Sequence, residues 1–280
     1  MRRRKKTFAF FLTNLLAALI MSVMILISSR DNPHIKAALK GTSGTFLLEG
    51  FRLCADALAS GFMPEKLFLT AQARERYPTA PLEQAAEQVF GITQPVARRL
   101  GDTQSPQGVF GVFEKQETRG KRQDISEPGG RYLALENIQD PGNLGGIART
   151  AEALGLDGLL VHGGCDVYHP KALRASMGAL LRLPVMQVDD LPTALRGSKL
   201  PCYAAVPDRD AMPVTQCNFF QGTIIAIGSE AQGLSQEAIA ACAHKITIPM
   251  PGGAESLNAA AAAAILIWEM AKQMQLTIDS

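Results

Sequence analysis

The sequence predicts an α/β protein made of two units, on three observations. Short apolar runs with the look of strands alternate with helix-like stretches along most of the chain. Its 280 residues suffice for two modest cores. A polar stretch from Glu117 to Gly130, carrying Pro128-Gly129-Gly130, divides the alternation into two blocks.

In the first block, Phe46 to Glu49 reads as a strand, Phe51 to Ala59 as an amphipathic helix, and Lys66 to Leu69 as a second strand. Gly108 to Phe113 closes the block as another strand. After the linker, apolar runs at Tyr132 to Leu135, Gly158 to Val161, Cys202 to Val206 and Thr223 to Ile227 are separated by helical stretches. That spacing predicts a mostly parallel sheet with helices on both faces. The expected organisation is an extension over residues 1–27, a small α/β domain over 28–116, a linker over 117–130 and a second α/β domain over 131–280.

Hydrophobic residues make up 47% of the chain and charged residues 19%, the composition of a globular protein. The five cysteines are scattered, odd in number and lack a C-x-x-C pair, so neither a disulfide framework nor a metal site is expected. Buried thiols in a reducing compartment are expected instead, which places the protein in the cytoplasm.

The N-terminus needs separate treatment. Arg2, Arg3, Arg4, Lys5 and Lys6 precede an apolar run from Thr7 to Ser29, the pattern of a signal peptide or a membrane anchor. A start at Met24 instead leaves Met24-Ile25-Leu26-Ile27-Ser28-Ser29-Arg30, an ordinary opening for a soluble domain, and membrane association is expected only if the apolar run is genuine. Without residues 1–23 the net charge moves from +2 to −3, because five basic residues go and no acidic one does. Nucleic-acid affinity must then come from local clusters such as Arg74/Arg76, Arg98/Arg99 and Arg119/Lys121/Arg122/Arg131.

Three blocks of the second domain carry chemistry. Glu136 to Ala151 follows a predicted strand and opens a helix through a polar, glycine-rich turn that contains Asn143 and is followed by Arg149. Backbone N–H groups at such a helix start favour anions. The spacing is neither G-x-G-x-x-G nor a Walker A loop, so dinucleotide and triphosphate sites are excluded. The second block, Gly228-Ser229-Glu230-Ala231-Gln232-Gly233, follows a predicted strand and places a carboxylate where ligand crevices form. The third runs from Ile246 through Ile248 and a Pro/Gly loop to Ser256-Leu257-Asn258, where Ser256 reads as the N-cap of a helix reaching about Lys272 and Asn258 as its first turn.

In this order the blocks resemble the three motifs of the SpoU family of SPOUT RNA methyltransferases: N-x-x-x-x-x-R, G-x-E-x-x-G and S-L-N. Ala259-Ala260 departs slightly from what usually follows the third. The first domain resembles the family's small RNA-binding domain, related to ribosomal proteins. The resemblance implies a trefoil knot in the second domain, a homodimer, and S-adenosyl-L-methionine as methyl donor for a ribose 2'-hydroxyl of RNA. It further implies a cofactor pocket lined by Gly228, Ile248 and Leu257, and a reaction site of Asn143, Arg149, Glu230, Ser256 and Asn258. Arg174 and Ser176, in a segment similar to one near the family's RNA entrance, are implied phosphate contacts. His162 and His169 fall outside the motifs and read as structural.

Ribosomal RNA is the expected substrate because the extra N-terminal domain resembles that of ribosomal RNA enzymes; transfer RNA is the alternative. A non-catalytic RNA-binding protein on the same fold would not need the five site residues. An oxidoreductase on a doubly wound sheet would need a glycine fingerprint that is absent.

Overall fold

The computed structural model describes residues 24–41, 44–101, 103, 105–116 and 129–278. The chain divides into two compact units between Glu114 and Lys115. Residues 1–23, most of the apolar N-terminal run, and 117–128, most of the expected linker, lie outside the described residues.

The N-terminal unit runs β1 (Ile25–Ile27), α1 (Pro33–Lys40), β2 (Thr45–Glu49), α2 (Phe51–Ala59), β3 (Pro64–Leu69), α3 (Ala71–Arg76), α4 (Ala80–Ala85), β4 (Gln88–Ile92), α5 (Gln94–Leu100) and β5 (Val109–Glu114). Its sheet has the order β1-β4-β3-β5-β2. Strands β1, β4 and β3 are parallel, while β5 pairs antiparallel with both β3 and β2. Ile27, Ile35, Phe68, Phe90 and Phe110 are the centre of its core. Ile25–Ile27, assigned above to the extension, pairs with Phe90–Ile92 and belongs to this sheet. The apolar run is therefore not one helix reaching Ser29. Among the described residues, no helix is long and apolar enough to cross a membrane.

The C-terminal unit runs β6 (Arg131–Glu136), α6 (Pro141–Ala153), β7 (Gly158–His162), α7 (Pro170–Ala175), α8 (Ala179–Arg182), β8 (Val185–Gln187), α9 (Leu191–Gly197), β9 (Cys202–Ala205), β10 (Met212–Pro213), β11 (Thr223–Ile227), α10 (Gln236–Ala241), β12 (His244–Thr247) and α11 (Ala259–Ile278). Among the described residues its strands have the order β10-β12-β9-β11-β6-β7-β8. Every pairing is parallel. With helices over both faces, the central strand β11 is buried at all five positions, which is why it reads as the unbroken run Thr-Ile-Ile-Ala-Ile rather than as an alternation.

The helix starts follow from local chemistry. Asp140 caps α6 by accepting the Gly142 N–H at 2.7 Å, and Pro141 needs no N–H partner in the first turn. A hydrogen bond from Lys171 and then that of Gly142 hold the Asp140 carboxyl below its usual range. Helices α6 and α7 approach closely at Gly145. A Cβ there would stand 2.5 Å from the Ala172 carbonyl oxygen and 2.8 Å from the Ser176 nitrogen, both backbone atoms that cannot rotate away. Gly145→Ala is expected to destabilise the protein by about 1–3 kcal/mol, read as a lower urea midpoint with an unchanged m-value.

Candidate active site

All three predicted blocks leave C-terminal ends of parallel strands: the first follows β6, the second β11 and the third β12. Loops at that edge of an α/β sheet are where ligand crevices form.

A hydrogen-bonded chain of side chains joins the three loops. The Asn258 Oδ1 accepts the N–H groups of Ala260 (3.0 Å) and Ala261 (3.3 Å) and so caps α11. Its amide nitrogen is thereby turned outward and donates to the Asn143 Oδ1 at 3.0 Å. The Asn143 Nδ2 in turn donates to the Glu230 Oε1 at 2.5 Å. Because an amide has one accepting and one donating end, the helix cap at one end and the carboxylate at the other set the orientation of both asparagines. The cap is therefore Asn258 and not Ser256, contrary to the sequence expectation. Ser256 is exposed, and its hydroxyl makes no hydrogen bond among the described residues.

The loop after β11 folds back on itself. Ser229 and Gly233 exchange backbone hydrogen bonds of 3.2 and 2.9 Å. Gly228 faces this closure so tightly that a Cβ would lie 1.9 Å from the Gly233 carbonyl carbon. The loop walls a cavity of about 500 Å³, to which Gly228, Glu230, Ile248, Ser256 and Leu257 all contribute. Its apolar side is supplied by Val206, Ile227, Ile246 and Leu266. The three residues expected to line a cofactor pocket thus share one cavity, and two of the expected reaction-site residues stand on its wall. A pocket of this size suits a nucleoside-sized ligand.

Arg149 lies on α6, six residues beyond Asn143, and is exposed. It makes no hydrogen bond or ion pair among the described residues, and Glu230 spends its carboxylate on Asn143 instead. One turn before Arg149, Gly146 faces Ala260, whose Cβ would lie 3.6 Å from a Cβ added at Gly146. This places that part of α6 beside the start of α11.

Ser176 does not meet its expectation as a phosphate contact. It is fully buried, donates its hydroxyl to the Leu173 carbonyl at 2.9 Å and accepts the Leu180 N–H at 3.4 Å, so it splices α7 to α8. A hydroxyl spent in that way cannot reach solvent. Arg174 is half-buried on α7. The Nδ1 of His162 donates to the Val188 carbonyl at 3.0 Å, and the Nδ1 of His169 accepts the Lys171 N–H at 3.1 Å, so both rings have structural partners. All five thiols are unpaired. Burial pushes Cys54 and Cys242 up to about 12 and Cys202 and Cys217 up to about 11, which leaves them no thiolate at neutral pH.

One residue of the site escaped sequence reasoning. Glu136, the last residue of β6, is 5% exposed and accepts two hydrogen bonds from Ser235, at the end of the β11 loop. The signal was an acidic residue closing an otherwise apolar strand, Tyr132-Leu133-Ala134-Leu135-Glu136.

Loss of the central amide has a defined expectation. Asn143→Ala leaves the Glu230 carboxylate and the Asn258 amide without their shared partner. A single donor in a preorganised site is worth about 10²-fold in turnover, so kcat at saturating substrates is expected to fall by about that factor. A kcat within twofold of wild type would remove Asn143 from the reaction site.

A parallel α/β sheet with a glycine-tight loop, a partly apolar cavity and an amide–carboxylate chain at its carboxyl edge defines an α/β protein with a ligand crevice at that edge and without a dinucleotide fingerprint. Comparison with known proteins identifies which one. The SpoU rRNA Methylase family matches residues 130–268, and the MRM3-like substrate binding domain matches residues 40–111. A tRNA/rRNA methyltransferase of Synechocystis, itself uncharacterized, is 33% identical over 88% of this chain and 93% of its own length. The 23S rRNA (uridine(2479)-2'-O)-methyltransferase of Streptomyces viridochromogenes is also 33% identical, over 82% of this chain and 84% of its own. Among solved structures, the AdoMet-bound rRNA methyltransferase of Sinorhizobium meliloti superposes with a TM-score of 0.80 at 26% identity, covering 90% of this chain and 98% of the other. The SpoU methyltransferase AviRb of Streptomyces viridochromogenes, in complex with AdoMet, superposes with a TM-score of 0.75 at 29% identity, over 87% and 98%. The chain belongs to the SpoU rRNA methylase family.

Proposed function

We infer that the protein transfers a methyl group from S-adenosyl-L-methionine to a ribose 2'-hydroxyl of ribosomal RNA. The observation that carries this is the Glu230–Asn143–Asn258 chain at the rim of the cavity shared by Gly228, Ile248 and Leu257. The cofactor fits: the cavity is of nucleoside size, apolar on one side, and its floor approaches through a glycine whose Cβ would collide with backbone. Gly228, Ile248 and Leu257 would hold it, and when bound it supplies an electrophilic methyl group.

The chain's own residues do the rest. Asn143 and Asn258, oriented by the helix cap and Glu230, fix the geometry of the rim, and Ser256 offers a free hydroxyl to the incoming ribose. Much of the rate acceleration comes from that positioning. Arg149 cannot act as a base, because a guanidinium holds its proton beyond pH of about 12. Its exposed, unpaired fork suits a phosphate next to the reacting ribose, with its charge stabilising the developing alkoxide.

RNA recognition falls to the N-terminal unit, as the substrate-binding description of its matching domain family supports. Arg52, Arg76, Arg98 and Arg99 are exposed there. Arg74, in contrast, is held by Glu83 at 2.7 Å. Arg119, Lys121 and Arg122 of the third basic cluster lie outside the described residues, and Arg131 begins β6. Arg174 remains on this reading a phosphate contact. The reading also includes the family's trefoil knot, supported by the likeness to solved structures of the family, and a cytoplasmic location.

A homodimer is supported by α11, where Ile265 and Trp268 lie on one face and are 38% and 50% exposed. Trp268→Glu is expected to convert a dimer into a monomer in analytical ultracentrifugation; an unchanged sedimentation coefficient would remove this face from the interface.

The test is transfer of labelled methyl from S-adenosyl-L-methionine to unmodified ribosomal RNA, ribosomal particles and transfer RNA in parallel. Label recovered as 2'-O-methylated nucleoside from ribosomal RNA or particles is the expected result. Label in transfer RNA alone would reassign the substrate, and label in none of them would overturn the reading.

A further inference from the structure

We propose that Glu136 is a positioning residue for the cofactor loop and acts through Ser235. The proposal rests on the methyltransferase reading of the cavity and adds a residue that lies outside its lining.

Glu136 closes β6 and is buried. Its two carboxylate oxygens are divided between two donors of one residue. The Oε2 accepts the Ser235 backbone N–H at 2.7 Å, and the Oε1 accepts the Ser235 hydroxyl at 2.7 Å. The Ser235 oxygen in turn accepts the Ala238 N–H at 3.1 Å and so caps α10. A single buried anion thus fixes the residue at which the β11 loop ends and α10 begins. Hydrogen bonds to a charged acceptor are about twice as strong as neutral ones, and a buried donor left unpaired is costly.

The loop held in this way is Gly228 to Leu234, whose last residue is buried in the core while residues 230–233 are exposed. Its own closure depends on Ser229 and Gly233, and its tip is exposed. Two points of the β6–α6 segment grip it from outside: Asn143 at the middle, through Glu230, and Glu136 at the end, through Ser235. Glu230 faces the cavity and Gly228 stands at its floor, so the placement of both depends on where the loop is pinned. A residue that only stabilised the core would lower the melting temperature and leave cofactor affinity alone once the protein is folded. A positioning residue changes the affinity of the folded protein.

The test uses the full chain, with S-adenosyl-L-methionine affinity measured by calorimetry beside kcat at saturating cofactor. Four variants separate the outcomes: E136A, E136Q, S235D and the double variant E136Q/S235D. A glutamine at 136 accepts from the Ser235 N–H and donates to its hydroxyl, so E136Q is expected to bind within about threefold of wild type. E136A leaves the Ser235 N–H without an acceptor and is expected to raise Kd about tenfold or more. S235D still caps α10 but sets a second carboxylate against Glu136, with an expected rise of similar size. Adding E136Q to S235D replaces that repulsion by an amide donor and is expected to restore Kd to within about threefold. If E136A fails to fold, S235D and the double variant decide the matter. Unchanged cofactor affinity in S235D, or a double variant as weak as S235D, overturns the proposal. A wild-type protein that binds no S-adenosyl-L-methionine would overturn the methyltransferase reading itself, which is a different result.

Discussion

Replacing Arg149 by alanine is expected to lower kcat for methyl transfer by about 10²–10³-fold while S-adenosyl-L-methionine binds as before. The guanidinium is exposed and makes no bond within the described structure, so its removal leaves no buried group unsatisfied and costs little stability. Arg149 is not among the residues that line the cavity with Gly228, Ile248 and Leu257. What is lost is the fork that grips a phosphate and the charge that meets a developing alkoxide. Arg149→Lys keeps the charge and loses the fork, so it is expected to fall between wild type and alanine. The measurements are single-turnover rate and cofactor affinity by calorimetry. An equal loss of both would sink the clamp and assign Arg149 to cofactor binding.

Gly228→Ala is expected to do the reverse, reducing cofactor affinity by about 10²-fold or more and lowering activity through that loss. The reason is space. The added carbon would lie 1.9 Å from the Gly233 carbonyl carbon and 2.1 Å from the Leu234 nitrogen. Both are backbone atoms of the same loop, so the closure between Ser229 and Gly233 must open. The sheet beneath is held by β6 and β9 on either side of β11, and the melting transition is expected to survive. Equilibrium dialysis with labelled cofactor beside a thermal melt separates the two effects. Normal cofactor binding in this variant would show that the loop can yield and that its tightness serves something else.

The two variants bracket the site from its two sources of information. Arg149 was identified by its place in the N-x-x-x-x-x-R motif, and the structure adds only that it is exposed and unpaired. Gly228 was identified as a lining residue by resemblance, and the structure adds the physical need for glycine there: a close approach to Gly233, the other glycine of the same G-x-E-x-x-G motif. Glu136 was visible only as an acidic residue ending an apolar strand, because its partner Ser235 lies 99 positions away.

Ser256 and Asn258 show the limit of local rules. Both residue types cap helices, and the sequence favours Ser256 on type and position. The structure gives the cap to Asn258, because its amide serves the helix with the oxygen and Asn143 with the nitrogen. Ser256, two residues earlier, makes neither contact among the described residues. Ser176 fails in the opposite direction: its type suits a phosphate contact, and only packing shows that it is sealed between α7 and α8.

The sequence by itself determined the α/β alternation, the strands Phe46 to Glu49 and Thr223 to Ile227, the helix Phe51 to Ala59 and the three motif-bearing loops. Periodicity, turn residues and helix starts act within a few neighbours, so a single chain segment carries them. Tertiary structure alone decided the strand order β9-β11-β6, the amide chain from Glu230 to Asn258, the tight approach at Gly145 and the burial of Glu136. These depend on distances between residues far apart in the chain, which exist only after the sheet has brought the ends of β6, β11 and β12 to one edge.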